Sequence, residues 1–414
     1  MSFDDLTPAL AAHYAREQGF FAPGTALCVH EIDNLEGEGF VNHLYRVSGN
    51  SRAVIIKQAK PYLSFWGPAE YVPLTVSRSA IEANSYLLRA PITGEHQLPV
   101  LLVDPENNLF VQECWQRPTV RSWWKRGIEL PRFPVQIGSY IARNSFFTSA
   151  AYVGPDAHRQ LDAAFTNSPM RSLMEGILFD FDNLHPVADA FEKITDFRPV
   201  VLSDPELRGQ LEALRDIYNG RAECLVHGDL HTSNIMYEGE RMIVFDMEYT
   251  HMGAFSTDLG YLLGGFISPY LAVPYRHDLP LDARRSFGRR VLASMTTVVD
   301  TYLRVFSSLF AAYAQPGYRD QPGYLDQLFA DLVPNVIGLA GTQLLSRVMV
   351  PGADQDYEPI HDPQAHEELR HLTVAVGIAL LKAHRTLPTM RDATSLIESV
   401  ATAFHTAKRP TLAA

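Results

Sequence analysis

The chain has 414 residues, 46% hydrophobic and 20% charged, which suits a soluble globular protein of two lobes or domains and gives no reason to expect long disorder. Its formal net charge of -12 repels nucleic acid and anionic membrane, so neither is expected as a partner. Cys28, Cys114 and Cys224 are far apart and odd in number, which argues against a disulfide framework and fits a cytoplasmic location.

The opening Met1-Ser-Phe-Asp-Asp-Leu6 has neither the basic nor the apolar region of a signal peptide. Residues 25 to 115 are strand-rich. Gly37-Glu38-Gly39-Phe40-Val41-Asn42 leads into a strand at 41–47. Its two glycines allow close backbone approach to phosphates, which makes Gly37, Gly39 and Asn42 candidate binding residues, although the full Gly-x-Gly-x-x-Gly pattern is absent. A second strand at 53–59 follows the turn Ser48-Gly49-Asn50-Ser51 and carries Lys57 inside the apolar run Val54-Ile-Ile-Lys. A cation there is costly unless it is partnered, and a helix expected over 77–88 follows. Strands at 98–103 and 109–113 end the region at Gln112-Glu113-Cys114-Trp115.

Beyond residue 116 the texture is helical. Ser203-Asp-Pro-Glu206 reads as a capping box, with Leu207, Leu211, Leu214 and Ile217 at helical spacing behind it. Long helices are expected near 284–312, 324–349 and 366–386. The apolar stretch Leu259–Tyr275 contains Gly264, Gly265, Pro269 and Pro274 and reads as buried core rather than a membrane span. A strand-like island, Asn234 to Glu248, turns at Glu238-Gly239-Glu240. The class is therefore α+β, with a small sheet-rich N-lobe over 1–115 and a large, mainly helical C-lobe over 116–414.

The chemistry concentrates in Cys224-Leu-Val-His-Gly-Asp-Leu-His-Thr-Ser-Asn-Ile-Met236 and Met242-Ile-Val-Phe-Asp-Met-Glu248. Phosphoryl transfer needs one carboxylate to orient and deprotonate an acceptor hydroxyl, and further oxygen ligands to hold magnesium against phosphates. Asp229 suits the first task. Asp246, Glu248 and Asn234 suit the second. Strand alternation would put Asp246 and Glu248 on one face, where they repel unless a cation or proton lies between them. A metal hydrolase built on His227-x-Asp229-x-His231 is the competing reading, and it lacks further ligands at matching spacings.

His227-x-Asp229 followed by four residues and Asn234 resembles the catalytic loop of aminoglycoside and choline phosphotransferases. The wording His227-Gly-Asp-Leu-His-Thr232 and the pair Asp246-x-Glu248 look more specifically like methylthioribose kinases. Val54–Tyr62, Pro73-Leu-Thr with Arg78 and Glu82, Asn144–Ser149, Asn167-Ser-Pro with Leu178-Phe-Asp180, Asp258-Leu-Gly260 and Gly338–Gly341 with Arg347 resemble further segments of that family. The resemblance implies a protein-kinase-like two-lobe fold that uses ATP and Mg2+. Lys57 would grip the phosphates with Glu82 as its ion-pair partner, and Glu113 would lie in the hinge that meets adenine. The implied substrate is a small sugar, methylthioribose or a similar 5-substituted pentose, phosphorylated on its 1-hydroxyl for methionine salvage. Arg347 and Asp229 would contact that sugar, and the assembly would be a homodimer. Ser346 stands where the family carries a second arginine, and Asn234 where it carries serine. These departures keep an aminoglycoside- or choline-type acceptor as the alternative. Two further patterns read as packing or solvated surface rather than as sites: His366-Glu-Glu-Leu-Arg-His371, whose histidines are five apart, and Trp123-Trp124-Lys-Arg126.

Overall fold

A computed structural model describes residues 5–32, 42–50, 52–63, 72–181, 196–350 and 353–407. The chain forms two compact units. The first comprises Met1–Arg117, Asn167–Arg171 and Ser233–Thr250, and the second Pro118–Thr166, Ser172–Thr232 and His251–Ala414. The fold is α+β, as expected, with a small antiparallel sheet in the first unit and a mainly helical second unit.

The sheet of the first unit runs in the order Cys28–Glu31, Asn42–Gly49, Arg52–Ala59, Leu109–Glu113, Val100–Asp104, with every neighbour antiparallel. Alternation decides what each face buries. Tyr45, Val47, Val54, Ile56, Leu109 and Val111 form a core with Ala11, Tyr14 and Ala15 of helix Pro8–Glu17. Lys57 follows Ile56 and so takes the other face, opposite Phe110 in the register. Helix Arg78–Thr93 supplies Tyr86, whose ring centroid is 6.1 Å from that of Phe110. The hairpin Ile235–Glu238 and Arg241–Val244 belongs to this unit, where Met236 and Ile243 cluster with Leu98.

In the second unit, Trp124 packs edge-on against Phe266 at 4.7 Å and Phe133 at 6.0 Å, so the Trp-Trp pattern contributes to the core. Helix Ser256–Ala272 is almost wholly buried and continues through Gly264, Gly265 and Pro269. Tertiary packing overrides local propensity here. A Cβ on Gly264 would lie 2.9 Å from Cβ of Gln343 on helix Tyr324–Met349, closer than side chains ordinarily approach, so glycine suits this contact. The helix Tyr324–Met349 is long and apolar enough to cross a membrane and is mostly buried in the protein. The helices Leu281–Tyr313 and Pro363–Ala383 match the expected long ones.

Two local expectations fail. The helix over Pro205–Gly220 is capped by Asp204, whose carboxylate accepts from the Glu206 and Leu207 amides, and not by Ser203. Pro205 at the first helical position makes the residue before it the extended cap. The final strand of the 234–248 island stops at Val244, and Asp246 takes φ 65°. Strand alternation therefore does not relate Asp246 to Glu248.

Candidate active site

The first unit gathers its charged side chains around the turn at 246–248. Helix Arg78–Thr93 holds that turn: Tyr86 Oη accepts from the Asp246 amide at 2.9 Å, and Glu82 Oε1 accepts from the Met247 amide at 3.1 Å. From Asn167, Nδ2 donates to the Glu248 carbonyl at 2.8 Å and the Thr250 carbonyl at 3.1 Å. The turn can therefore leave strand geometry and still have its backbone polar groups met.

Lys57 Nζ lies 2.9 Å from Oε1 and 2.8 Å from Oε2 of Glu82 and is also paired with Asp246. The expected Lys57–Glu82 pair thus forms, and Lys57 is only 8% exposed. Burial alone would lower this ammonium, but Asp246, Glu82 and Glu248 outweigh it and hold the group well above its ordinary value. Burial, reinforced by Asp246 and Glu248, lifts Glu82 to about 8 against the pull of Lys57. Ligand atoms of Glu82, Asp246 and Glu248 lie within 4.8 Å of one another.

The second cation in this cluster is Arg78, to which sequence reasoning assigned no role. Its Nε donates to Glu248 Oε2 at 3.0 Å, with both side chains buried. Asn42, expected from the sequence as a binding residue, donates through Nδ2 to the same oxygen at 3.1 Å. Arg78 stands four residues before Glu82 on one helix, and that spacing was the available signal. Three carboxyl groups face two cations, so the cluster carries one negative charge in excess once Glu82 has given up its proton. Hard carboxylate oxygens with that excess fit a magnesium ion. Asp246 is the partly exposed member of the trio, while Glu82 and Glu248 are nearly closed to solvent.

Asn234 is buried in the turn Thr232–Asn234, and its carbonyl accepts from the Phe245 amide at 3.0 Å. Glu113 is exposed at its strand end, with its amide donating to the Pro99 carbonyl at 3.1 Å. Gly37 and Gly39 lie outside the described residues.

The second unit holds Asp229. Asp258, in the first turn of helix Ser256–Ala272, accepts from the His227 amide through Oδ2 at 2.8 Å and from the Gly228 amide through Oδ1 at 3.0 Å. Gly228 has φ 86°, a conformation that suits glycine and turns the chain toward Asp229. His231 Nε2 lies 3.5 Å from Asp229 Oδ2, and the Tyr261 hydroxyl bonds to the Asp229 carboxylate. Burial would raise Asp229, but His231, His227 and Tyr261 outweigh it and hold the carboxyl below its ordinary value. Tyr261 is pushed up by burial and by the Asp229 charge, so it remains a donor.

Arg347 is buried on helix Tyr324–Met349. Its Nη1 donates to the Ala353 carbonyl at 3.1 Å, and the Gln343 side-chain oxygen, with the amide suitably oriented, accepts from Nε at 2.6 Å. Near it in charge space are Arg121 and Asp356, which the sequence did not single out. Arg121 Nε is 2.9 Å from Asp356 Oδ1. Asp356 is held below its ordinary range, its burial outweighed by Arg121, Arg347 and other cations. His366 and His371 share no site: His366 lies 3.5 Å from Asp354 and His371 lies 3.5 Å from Glu367.

Residues 177–294 match the phosphotransferase enzyme family. The resemblance to methylthioribose kinases extends over nearly the whole chain. The methylthioribose kinase of Pectobacterium atrosepticum is 28% identical over 94% of this chain and 96% of its own. That of a Geobacillus species is 25% identical over 95% of this chain and 96% of its own. Among solved structures, an ethanolamine kinase of Plasmodium vivax aligns over 88% of this chain and 87% of its own, with a TM-score of 0.48 and 14% identity.

Proposed function

We propose that the chain is an ATP-dependent kinase that phosphorylates a hydroxyl of a small sugar, methylthioribose or a similar 5-substituted pentose. The observation that carries this reading is Lys57, drawn from an apolar strand into a buried cluster of three carboxylates. A cation so placed needs a specific reason, and gripping phosphates supplies it. The near full-length likeness to methylthioribose kinases supports a sugar as acceptor.

Bound with magnesium, ATP supplies the transferable γ-phosphoryl group and its counter-charge. Asp246 would be the first ligand to the metal, with Glu248 and Asn234 as further ligands. Lys57 meets the phosphate negative charge, and Glu82 keeps the ammonium pointed. Asp229 is ionised at neutral pH, because its neighbours hold it below the ordinary carboxyl range. It accepts a hydrogen bond from the acceptor hydroxyl, orients the oxygen toward the γ-phosphorus, and takes the proton as the new P–O bond forms and the bond to the bridging oxygen breaks to release ADP. Tyr261 and His231 hold that carboxylate in one orientation. Positioning and charge stabilisation supply most of the acceleration, because a loose transition state needs little covalent help.

An ADP-release assay with magnesium-ATP tests the reading against methylthioribose, 5-deoxyribose, ribose, choline and aminoglycosides. Turnover is expected to be greatest with a 5-substituted pentose. Turnover of choline or an aminoglycoside with none of the pentoses overturns the assignment of a sugar.

A further inference from the structure

The pair Arg121–Asp356 is buried and yet incomplete. Arg121, from helix Val120–Lys125, is 6% exposed, and Asp356, from the turn Gln355–Tyr357, is 9% exposed. Besides the Nε–Oδ1 contact, Arg121 Nη1 donates to Gln355 Oε1 at 2.7 Å. Arg121 Nη2 and Asp356 Oδ2 are buried, and among the described residues neither has a hydrogen-bond partner. Buried polar atoms are nearly always paired, so two orphans on one ion pair call for an explanation. The pair also lies within electrostatic reach of the proposed base. Asp356, then Arg347, Tyr261 and Asp229, act on the Arg121 guanidinium, after the burial that lowers it.

We infer that Arg121 and Asp356 form, beside Arg347, a subsite that reads hydroxyl groups of an uncharged polyol acceptor and rejects polycations. The inference rests on the kinase reading above. A hydroxyl is at once donor and acceptor. It can donate to Asp356 Oδ2, while its own oxygen or that of a neighbouring hydroxyl accepts from Arg121 Nη2. The charges agree: Arg121 and Arg347 balance Asp229 and Asp356, so the group has no surplus carboxylate for a polyamine. A multiply charged aminoglycoside would have to be desolvated against two guanidinium groups, which like-charge repulsion opposes. Arg121 also supplies a second arginine beside Arg347 from a different helix, although Ser346 occupies the neighbouring position in sequence.

The test measures steady-state kinetics of Arg121→Lys and Asp356→Asn with the best pentose from the panel, and with ribose beside 2-deoxyribose. Each variant is expected to raise the acceptor KM by about tenfold, the worth of one lost hydrogen bond, with the ATP KM unchanged. Wild type is expected to favour ribose over its deoxy analogue, and at least one variant to lose that preference, which a purely structural role would not produce. The double variant Arg121→Met with Asp356→Leu replaces the pair by apolar bulk, so the fold is retained when the ion pair cannot be broken singly. It too should discriminate poorly between the two sugars. Unchanged acceptor KM and unchanged discrimination in all three variants overturn the subsite while leaving the kinase reading intact. A wild type that ignores every pentose defeats the sugar reading itself, and a preference for aminoglycosides defeats both.

Discussion

The two charged clusters are built to different rules. In the first unit the charged side chains are committed to one another: Lys57 to Glu82 and Asp246, Arg78 and Asn42 to Glu248. The balance there becomes unequal once Glu82 ionises, with three carboxylates to two cations. In the second unit the charges balance, but Arg121 and Asp356 retain unspent hydrogen-bonding atoms. A buried excess of charge attracts a counter-charge strongly, because the interior screens poorly. A balanced cluster with spare donors and acceptors attracts neutral polar groups instead. On the two proposals above, arginine and acidic side chains would serve charge recognition in one place and hydroxyl recognition in the other.

The largest effect that would sharpen this contrast is at Asp229. Asp229→Asn is expected to lower kcat by at least about 10²-fold, the scale of a lost acid–base group, with little change in the ATP KM. Turnover near the wild-type rate would remove Asp229 as the base. Next is Lys57→Ala, which leaves Glu82, Asp246 and Glu248 with Arg78 as their one remaining cation. Breaking a buried pair on one side costs about 3–5 kcal/mol, so chemical denaturation should show a clear loss of stability. In the same variant kcat/KM for ATP should fall more than the acceptor KM rises, and equal ATP kinetics would take Lys57 out of the site. Tyr261→Phe, which removes one donor to a carboxylate, should lower kcat by about tenfold and leave stability nearly unchanged. If kcat is unaltered, Tyr261 does not position the base.

The smallest effect concerns pH, and the two units should respond in opposite senses. Glu82, raised from 4.5 to about 8, keeps a proton in the folded state that the unfolded chain has released. Its contribution to stability therefore falls as pH rises between those values. Asp229 and Asp356 are held below 3.8, so their contribution is complete above that pH and is lost as pH drops through their folded values. Urea unfolding between pH 5 and 8 should show a decline in wild type that Glu82→Gln removes. An undiminished decline in that variant would place the retained proton elsewhere.

Much of the site was legible because its chemistry is local in sequence. Asp229 within a polar loop, Asp246 two residues before Glu248, and a lysine inside an apolar strand are patterns that a linear reading can weigh. The Lys57–Glu82 pair was legible through the family resemblance, which implies a strand lysine held by a helix glutamate. Other readings failed where the backbone departed from regular geometry. Asp246 at φ 65° breaks the alternation that would have set its face. Asp204 rather than Ser203 caps its helix because of the proline that follows.

By itself, the sequence determined the α+β class, the strand that carries Lys57, the helix that carries Glu82, and the loop that carries Asp229. These follow from periodicity, turn chemistry and the cost of burying charge, all of which act over a few residues. Tertiary structure alone decided that Arg78 neutralises Glu248, that Tyr261 holds Asp229, and that Arg121 meets Asp356 from more than two hundred positions away. Such partners are chosen by which side chains packing brings into a poorly screened interior, where an unmatched charge is expensive, and no spacing in the chain encodes that choice.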